Sequence, residues 1–137
     1  MPFYSAKDMK KTTDADIPYT DIKAAAGEFM KVGIVTKREN EGGSLHSHSD
    51  EEQWSYILDG KMHYILGDEE RILEPGDLVH IPRFVKHRSR PVGGPVTFLT
   101  VKSPVHAGGL RDDMTRIGGE EAAEAERRYE EMVKNEG

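Results

Sequence analysis

Apolar residues along this chain come in short runs separated by turn formers. From Glu28 to Lys37, Phe29, Met30, Val32, Ile34 and Val35 fit a strand better than a helix, and Asn40-Glu41-Gly42-Gly43 ends the run. Gln53 to Leu58 predicts a second strand. Asp59-Gly60 is a tight-turn signal, so Lys61 to Leu66 is expected to return antiparallel to it as a hairpin. Gly67-Asp68-Glu69-Glu70 turns the chain again, Arg71 to Glu74 makes a short strand, and Pro75-Gly76-Asp77 precedes another at Leu78 to Pro82. The last extended run, Val96 to Lys102, follows Gly93-Gly94-Pro95 and stops before Pro104. Upstream, Ile17-Pro18-Tyr19 reads as an extended anchor, because the Pro18 ring disfavours helical backbone at Ile17.

Helical periodicity is confined to the carboxyl end. There Ala122, Ala125, Tyr129, Met132 and Val133 fall on roughly one face, and Glu124 is spaced to pair with Arg128. This helix reads either as a surface element or as a lid or partner contact. Gly108-Gly109 and Gly118-Gly119 bracket a connector before it. Short β runs at this spacing argue for an antiparallel sandwich or small barrel rather than a parallel sheet with crossover helices. The expected organisation is an N-terminal extension over 1–27, partly ordered, a β-barrel domain over 28–105, a loop over 106–118 and a C-terminal helix over 119–135.

Composition narrows the partners. The 137 residues suffice for one domain with a modest core. A formal charge of -6 disfavours a broad nucleic-acid-binding face. Cysteine is absent, which removes disulfides, iron–sulfur clusters and a thiol nucleophile and suits a cytoplasmic protein. Neither a secretory leader nor eighteen consecutive apolar residues is visible, so no membrane partner is expected.

The six histidines are the most informative feature. His46 and His48 share a face if the backbone is extended, Gln53 follows five residues after His48, and His87 lies after the Pro82 turn. Imidazole nitrogens and an amide oxygen suit a divalent transition metal. The pair alone is weak evidence and reads first as solvated histidines in a polar loop, since Ser44, Ser47, Ser49 and Asp50 surround it. The wider pattern is more specific: His46, His48, Gln53 and Gly60 in one block, and Gly76, Pro82 and His87 in a second.

In these two blocks, and over about Met30 to Pro104, the sequence resembles the cupin superfamily. The resemblance implies an all-β antiparallel double-stranded β-helix (jelly-roll), here with a C-terminal α-helix, and His46, His48, Gln53 and His87 as metal ligands. It also implies a homodimer, as many cupins are dimers. Asn40 stands where the first motif usually opens with glycine, Gln53 replaces the more frequent glutamate, and Phe84 and Pro91 replace a glycine and an asparagine of the second motif. Glu52 competes with Gln53 for the metal, but its register points outward.

With Gln53 inward, Ser55, Ile57, Met62, Tyr64 and Leu66 are expected to share its face, and Trp54, Tyr56, His63 and Ile65 the other. That second face is apolar enough to pack on the amino-terminal segment, on a second chain or under the chain's own termini. Val79 and Ile81 read as inward and His80 as outward. Phe98, Thr100 and Lys102 share a face; on the pocket side, Lys102 would hold an anionic substrate or move a proton, and otherwise it would snorkel to water. Tyr64 is a second candidate proton donor or clamp. Met62 and Thr100 are candidate substrate contacts. Arg83, Arg88 and Arg90 read as a solvated rim or as steering groups for small anions, with Arg83 and Arg88 as substrate contacts. His106 follows Pro104 in a loop that could swing over the mouth.

Four neutral ligands leave a divalent ion its full charge and make it a strong Lewis acid. Iron, manganese and zinc suit the donors about equally, with nickel behind. The activity expected is that of a metal-dependent enzyme acting on a small oxygenated or carboxylated metabolite, by non-redox isomerisation, dehydration, cyclisation or ring-opening. The alternatives are a dioxygenase of the same fold and a non-catalytic binding module.

Overall fold

The computed structural model of the protein describes residues 3–14, 17–39, 41–105, 110 and 113–136. Asn40, His106, Gly108 and Gly109, weighed above, lie outside the described residues. Among the described residues, nine antiparallel strands form one curled sheet: β1 (Thr12–Asp14), β2 (Ile17–Ala26), β3 (Lys31–Lys37), β4 (His46–Ser47), β5 (Glu52–Leu66), β6 (Glu69–Leu73), β7 (Leu78–Ile81), β8 (His87–Ser103) and β9 (Thr115–Arg116). Helix α1 spans Gly119–Glu136. Among the described residues no helix is long and apolar enough to cross a membrane.

Two long strands give the sheet its shape. β5 and β8 pair along most of their lengths, from Glu52 with Ser103 to Leu66 with His87. The expected hairpin at Asp59-Gly60 does not form. Instead β5 runs straight through this dipeptide, and the register with β8 shifts between Ile57 and Lys61. Gly60 has φ of +82°, and a Cβ there would stand 2.3 Å from the Pro95 carbonyl oxygen. A glycine that signals a turn is here a corner, where two strands bend together and their backbones come too close for a side chain.

Beyond that corner each half of the two strands recruits different neighbours. One half of β8 pairs with β3, and the matching half of β5 pairs with β7. The other half of β5 pairs with β6, while β4 meets β8 through His46 and His87. Ile22, Val35, Ile57, Met62, Tyr64, Ile81, Val96 and Phe98 fill the space between the halves. This is the antiparallel jelly-roll with a C-terminal helix, and the segment before residue 28 contributes β1 and β2 to the sheet edge.

The outer face divides in two. Where α1 docks, His63 and Ile65 are buried: Tyr129 packs against His63 and donates to the Pro91 carbonyl at 2.8 Å. Glu126 accepts from Arg88 and Arg90 at 2.8 Å each. Glu124 pairs with Arg128 as its spacing predicts. On the other half, Trp54, Tyr56, Leu58 and Leu78 are exposed. The chain's own carboxyl end thus covers only part of the apolar face.

Candidate metal centre

His46 and His87 sit directly opposite one another on β4 and β8, with ring centroids 4.2 Å apart. His48, two residues beyond His46, presents its ring to both, at 5.1 Å from His46 and 4.9 Å from His87. One ring nitrogen from each lies within 4.8 Å of the other two. The turn after Ile81 brings in the last ligand strand, since Phe84 donates its N–H to the His48 carbonyl at 2.7 Å. Phe84 holds φ of +70°, the left-handed region that glycine favours, which accounts for the glycine usual at this place in the motif.

The hydrogen bonds determine which nitrogens are available. His46 Nδ1 donates to the Ser44 carbonyl at 2.7 Å, His87 Nδ1 to the Val85 carbonyl at 3.0 Å, and His48 Nδ1 to the Asp113 carbonyl. A carbonyl only accepts, so each Nδ1 carries a proton, and each neutral ring presents its Nε2 lone pair. The rings are neutral for a plain reason. Burial drives His46 down to about 4 and His87 to about 2, and lowers His48 against the opposing pull of its bond to Asp113.

Gln53, the expected fourth donor, stands beside His48. It lies on the inward face of β5, where its amide nitrogen donates to Thr100 Oγ1 at 2.7 Å and approaches Ser55 Oγ at 3.4 Å. That turns Oε1 toward His48 Nε2, 3.1 Å away. Both are acceptors, an arrangement that a cation between them resolves. Two ligands at right angles on a metal, each about 2.1 Å from it, would stand about 3 Å apart. The residues therefore fit a divalent ion, as three imidazole nitrogens and one amide oxygen, all neutral. Glu52 points outward and bonds His80 at 2.7 Å, where His80 also stacks on Trp54.

A cavity of about 70 Å3 opens onto this cluster. His46, Gln53, His87, Tyr64, Thr100 and Lys102 line it, together with apolar Val35, Phe98 and Leu110. Lys102 is buried and donates to the Leu110 carbonyl at 2.8 Å, so it does not reach water. Burial raises the Tyr64 phenol well above its ordinary range against a hydrogen bond with Ser55, which keeps its proton on. Thr100 touches Gln53 and orients it. Met62 is wholly buried in the core rather than in the cavity lining.

The arginines fall elsewhere. Arg88 follows inward-facing His87 on β8, so alternation turns it out, to Glu126 and the Tyr129 ring. Arg83 is exposed over the Phe84 ring. Local pattern alone begins this strand at Val96, nine residues after its actual start at His87, and so gives no alternation at Arg88.

Sequence reasoning missed Lys37, which lines the cavity, donates to Ser89 at 3.2 Å and lies over the Phe98 ring. Its signal was present: Lys37 continues the period-two face of Lys31, Gly33 and Val35 along β3. Asp113 was also missed, and no local pattern marks it. Its carboxylate is partly desolvated, which raises its pKa, but main-chain donors at Asp50 and Glu51 outweigh this and hold it near 2.

The family described as "Cupin domain" matches residues 33–102, more than half the chain. Among solved structures, KdgF from Halomonas sp. superposes with a TM-score of 0.73 at 21% identity, over 80% of this chain and 99% of that one. An RmlC-like cupin from Shewanella frigidimarina gives 0.72 at 15% identity, over 80% and 96%. The polyketide cyclase RemF from Streptomyces resistomycificus gives 0.70 at 20% identity, over 93% of each chain. No curated protein matches the chain.

Proposed function

This chain belongs to the cupin family, and from that premise we propose that it is a metal-dependent enzyme acting on a small oxygenated or carboxylated metabolite without redox change. His46, His48 and His87 through Nε2, and Gln53 through Oε1, hold the ion, with iron, manganese or zinc ahead of nickel. When bound, such an ion supplies Lewis acidity toward a carbonyl or hydroxyl oxygen, undiminished by any anionic ligand. Thr100 and Ser55 keep the Gln53 oxygen aimed at the site. Tyr64 retains its proton and so acts as a hydrogen-bond donor or acid rather than a base. Lys102, beside the histidines, binds a substrate carboxylate or passes a proton, and Lys37 is a second cationic contact. Val35, Phe98 and Leu110 keep bulk water from the reacting oxygen.

The observation that carries this reading is the set of three Nδ1–H-anchored imidazoles whose free nitrogens converge with Gln53 Oε1. Isomerisation, dehydration, cyclisation and ring-opening all use such a site. Cyclisation gains support from the polyketide cyclase, whose likeness extends over 93% of both chains. The apolar patch of Trp54, Tyr56, Leu58 and Leu78 is assigned to a homodimer contact, checked by light scattering in solution, and a cytoplasmic setting accords with the cysteine-free chain. The test of function is elemental analysis of untagged protein, parent and His87→Ala, followed by anaerobic assay against candidate hydroxy and keto acids. One metal per chain, lost in His87→Ala, together with oxygen-independent turnover, supports the proposal. Metal-free parent protein, or turnover only with oxygen, overturns it.

A further inference from the structure

The segment after the barrel is fastened onto the metal-binding turn, and one residue makes most of the attachments. The turn Ser49-Asp50-Glu51 joins His48 to Gln53, so its shape sets the spacing of two of the four donors. Asp113 Oδ2 accepts the main-chain N–H of Asp50 at 2.7 Å and of Glu51 at 2.9 Å. Asp113 Oδ1 accepts from Ser49 Oγ at 3.1 Å and Ser49 N–H at 3.4 Å. The main-chain carbonyl of the same residue accepts from His48 Nδ1. Immediately downstream, Thr115 and Arg116 pair with Ser47 and His46, and Ile117 donates to the Leu45 carbonyl at 2.9 Å.

We infer that Asp113 is the positioning residue of the metal centre: its carboxylate locks the turn between His48 and Gln53, so that its carbonyl can hold the His48 ring with Nε2 facing the other donors. Outer-sphere partners of this kind orient a ligand before the ion arrives, and losing one typically weakens metal affinity on the order of 10- to 100-fold. Here both ends of one residue serve it. The carbonyl sets the tautomer and the side chain sets the backbone. The inference rests on the metal reading above and concerns assembly of the site, not the reaction.

The test uses the full chain and Co2+ as the probe. Affinity is read by competition with a chromophoric chelator, ligand geometry by the visible d–d absorption, and stability by thermal unfolding of the metal-free protein. Tyr129→Phe, which removes the Tyr129–Pro91 bond where α1 docks on the outer face, serves as the control for general destabilisation. Asp113→Ala is expected to weaken Co2+ binding at least 10-fold and to change the d–d spectrum, while Tyr129→Phe changes neither. Asp113→Asn, whose amide oxygen still accepts main-chain N–H groups, is expected to recover most of the affinity and the parent spectrum. If Asp113→Ala does not fold, Ser49→Ala, which removes the 3.1 Å bond to Asp113 Oδ1, carries the test, with a smaller loss expected. Parent-like Co2+ affinity in Asp113→Ala, or in Ser49→Ala where Asp113→Ala does not fold, overturns this inference alone. A parent that takes up no Co2+ overturns the metal reading and the inference with it.

Discussion

Lys31 and Glu51 form an ion pair shut away from solvent, 2.5 Å apart with side-chain exposures of 3% and 0%. Lys31 belongs to β3, and Glu51 to the turn that joins two of the proposed ligands. Neither Glu51 oxygen has a well-formed hydrogen bond among the described residues, so the contact is chiefly one of charge with charge. Removing either member, by Lys31→Met or Glu51→Gln, takes a charged partner at 2.5 Å from the other and is expected to cost about 3–5 kcal/mol. Domains of this size gain about 290 cal/mol/K of entropy on unfolding, so that cost lowers the melting temperature by roughly 10 to 17 °C. The double variant Lys31→Met/Glu51→Gln removes both charges and is expected to be more stable than either single variant, because desolvating the pair consumed most of its attraction. Urea unfolding of the metal-free parent and the three variants completes a double-mutant cycle. Single variants that lose under about 1 kcal/mol, or a double variant at the sum of the singles, would refute the reasoning.

Three further outcomes follow from the geometry. Gly60→Ala meets both a positive φ and the Pro95 carbonyl, whereas Gly76→Ala meets a positive φ in open space; Gly60→Ala is expected to cost more by about 2 kcal/mol or above in urea unfolding, and equal costs would show that the corner is not crowded. Phe84→Gly relieves left-handed backbone at a side chain that is 69% exposed, for a net gain of up to about 1 kcal/mol after glycine's extra unfolded-state entropy; a lower urea midpoint would count against it. His46 and His87 have pKa values depressed in the folded state, so the unfolded chain binds protons more readily; metal-free stability is complete above pH 6.5 and falls as pH drops toward 4, by about 3 kcal/mol from His46 alone. A urea midpoint unchanged between pH 7 and pH 5 would contradict the burial of these rings.

Several parts of this protein were legible from local pattern. Period-two alternation located β3, β7, the first half of β5 and the end of β8, and helical periodicity placed Ala125 and Tyr129 on the buried face of α1. His46 and His48 share a side because extended backbone forces it, and Gln53 faces inward for the same reason while Glu52 does not. These inferences need only the geometry of one strand at a time.

What lay between strands was decided by tertiary structure. Whether Asp59-Gly60 folds a hairpin or bends one long strand depends on β8 lying alongside with its own glycines at the matching corner, and no local signal reports that neighbour. The face of Arg88 depends on β8 starting at His87, a start set by pairing with β5 and β4 rather than by its own composition. Asp113 reaches the metal-binding turn from more than sixty residues away, so its role exists only once the chain has closed on itself. Alternation is a property of a single backbone, and so it is written in the sequence. Pairing partners, corners and distant clamps depend on two backbones at once, and only the folded chain specifies them.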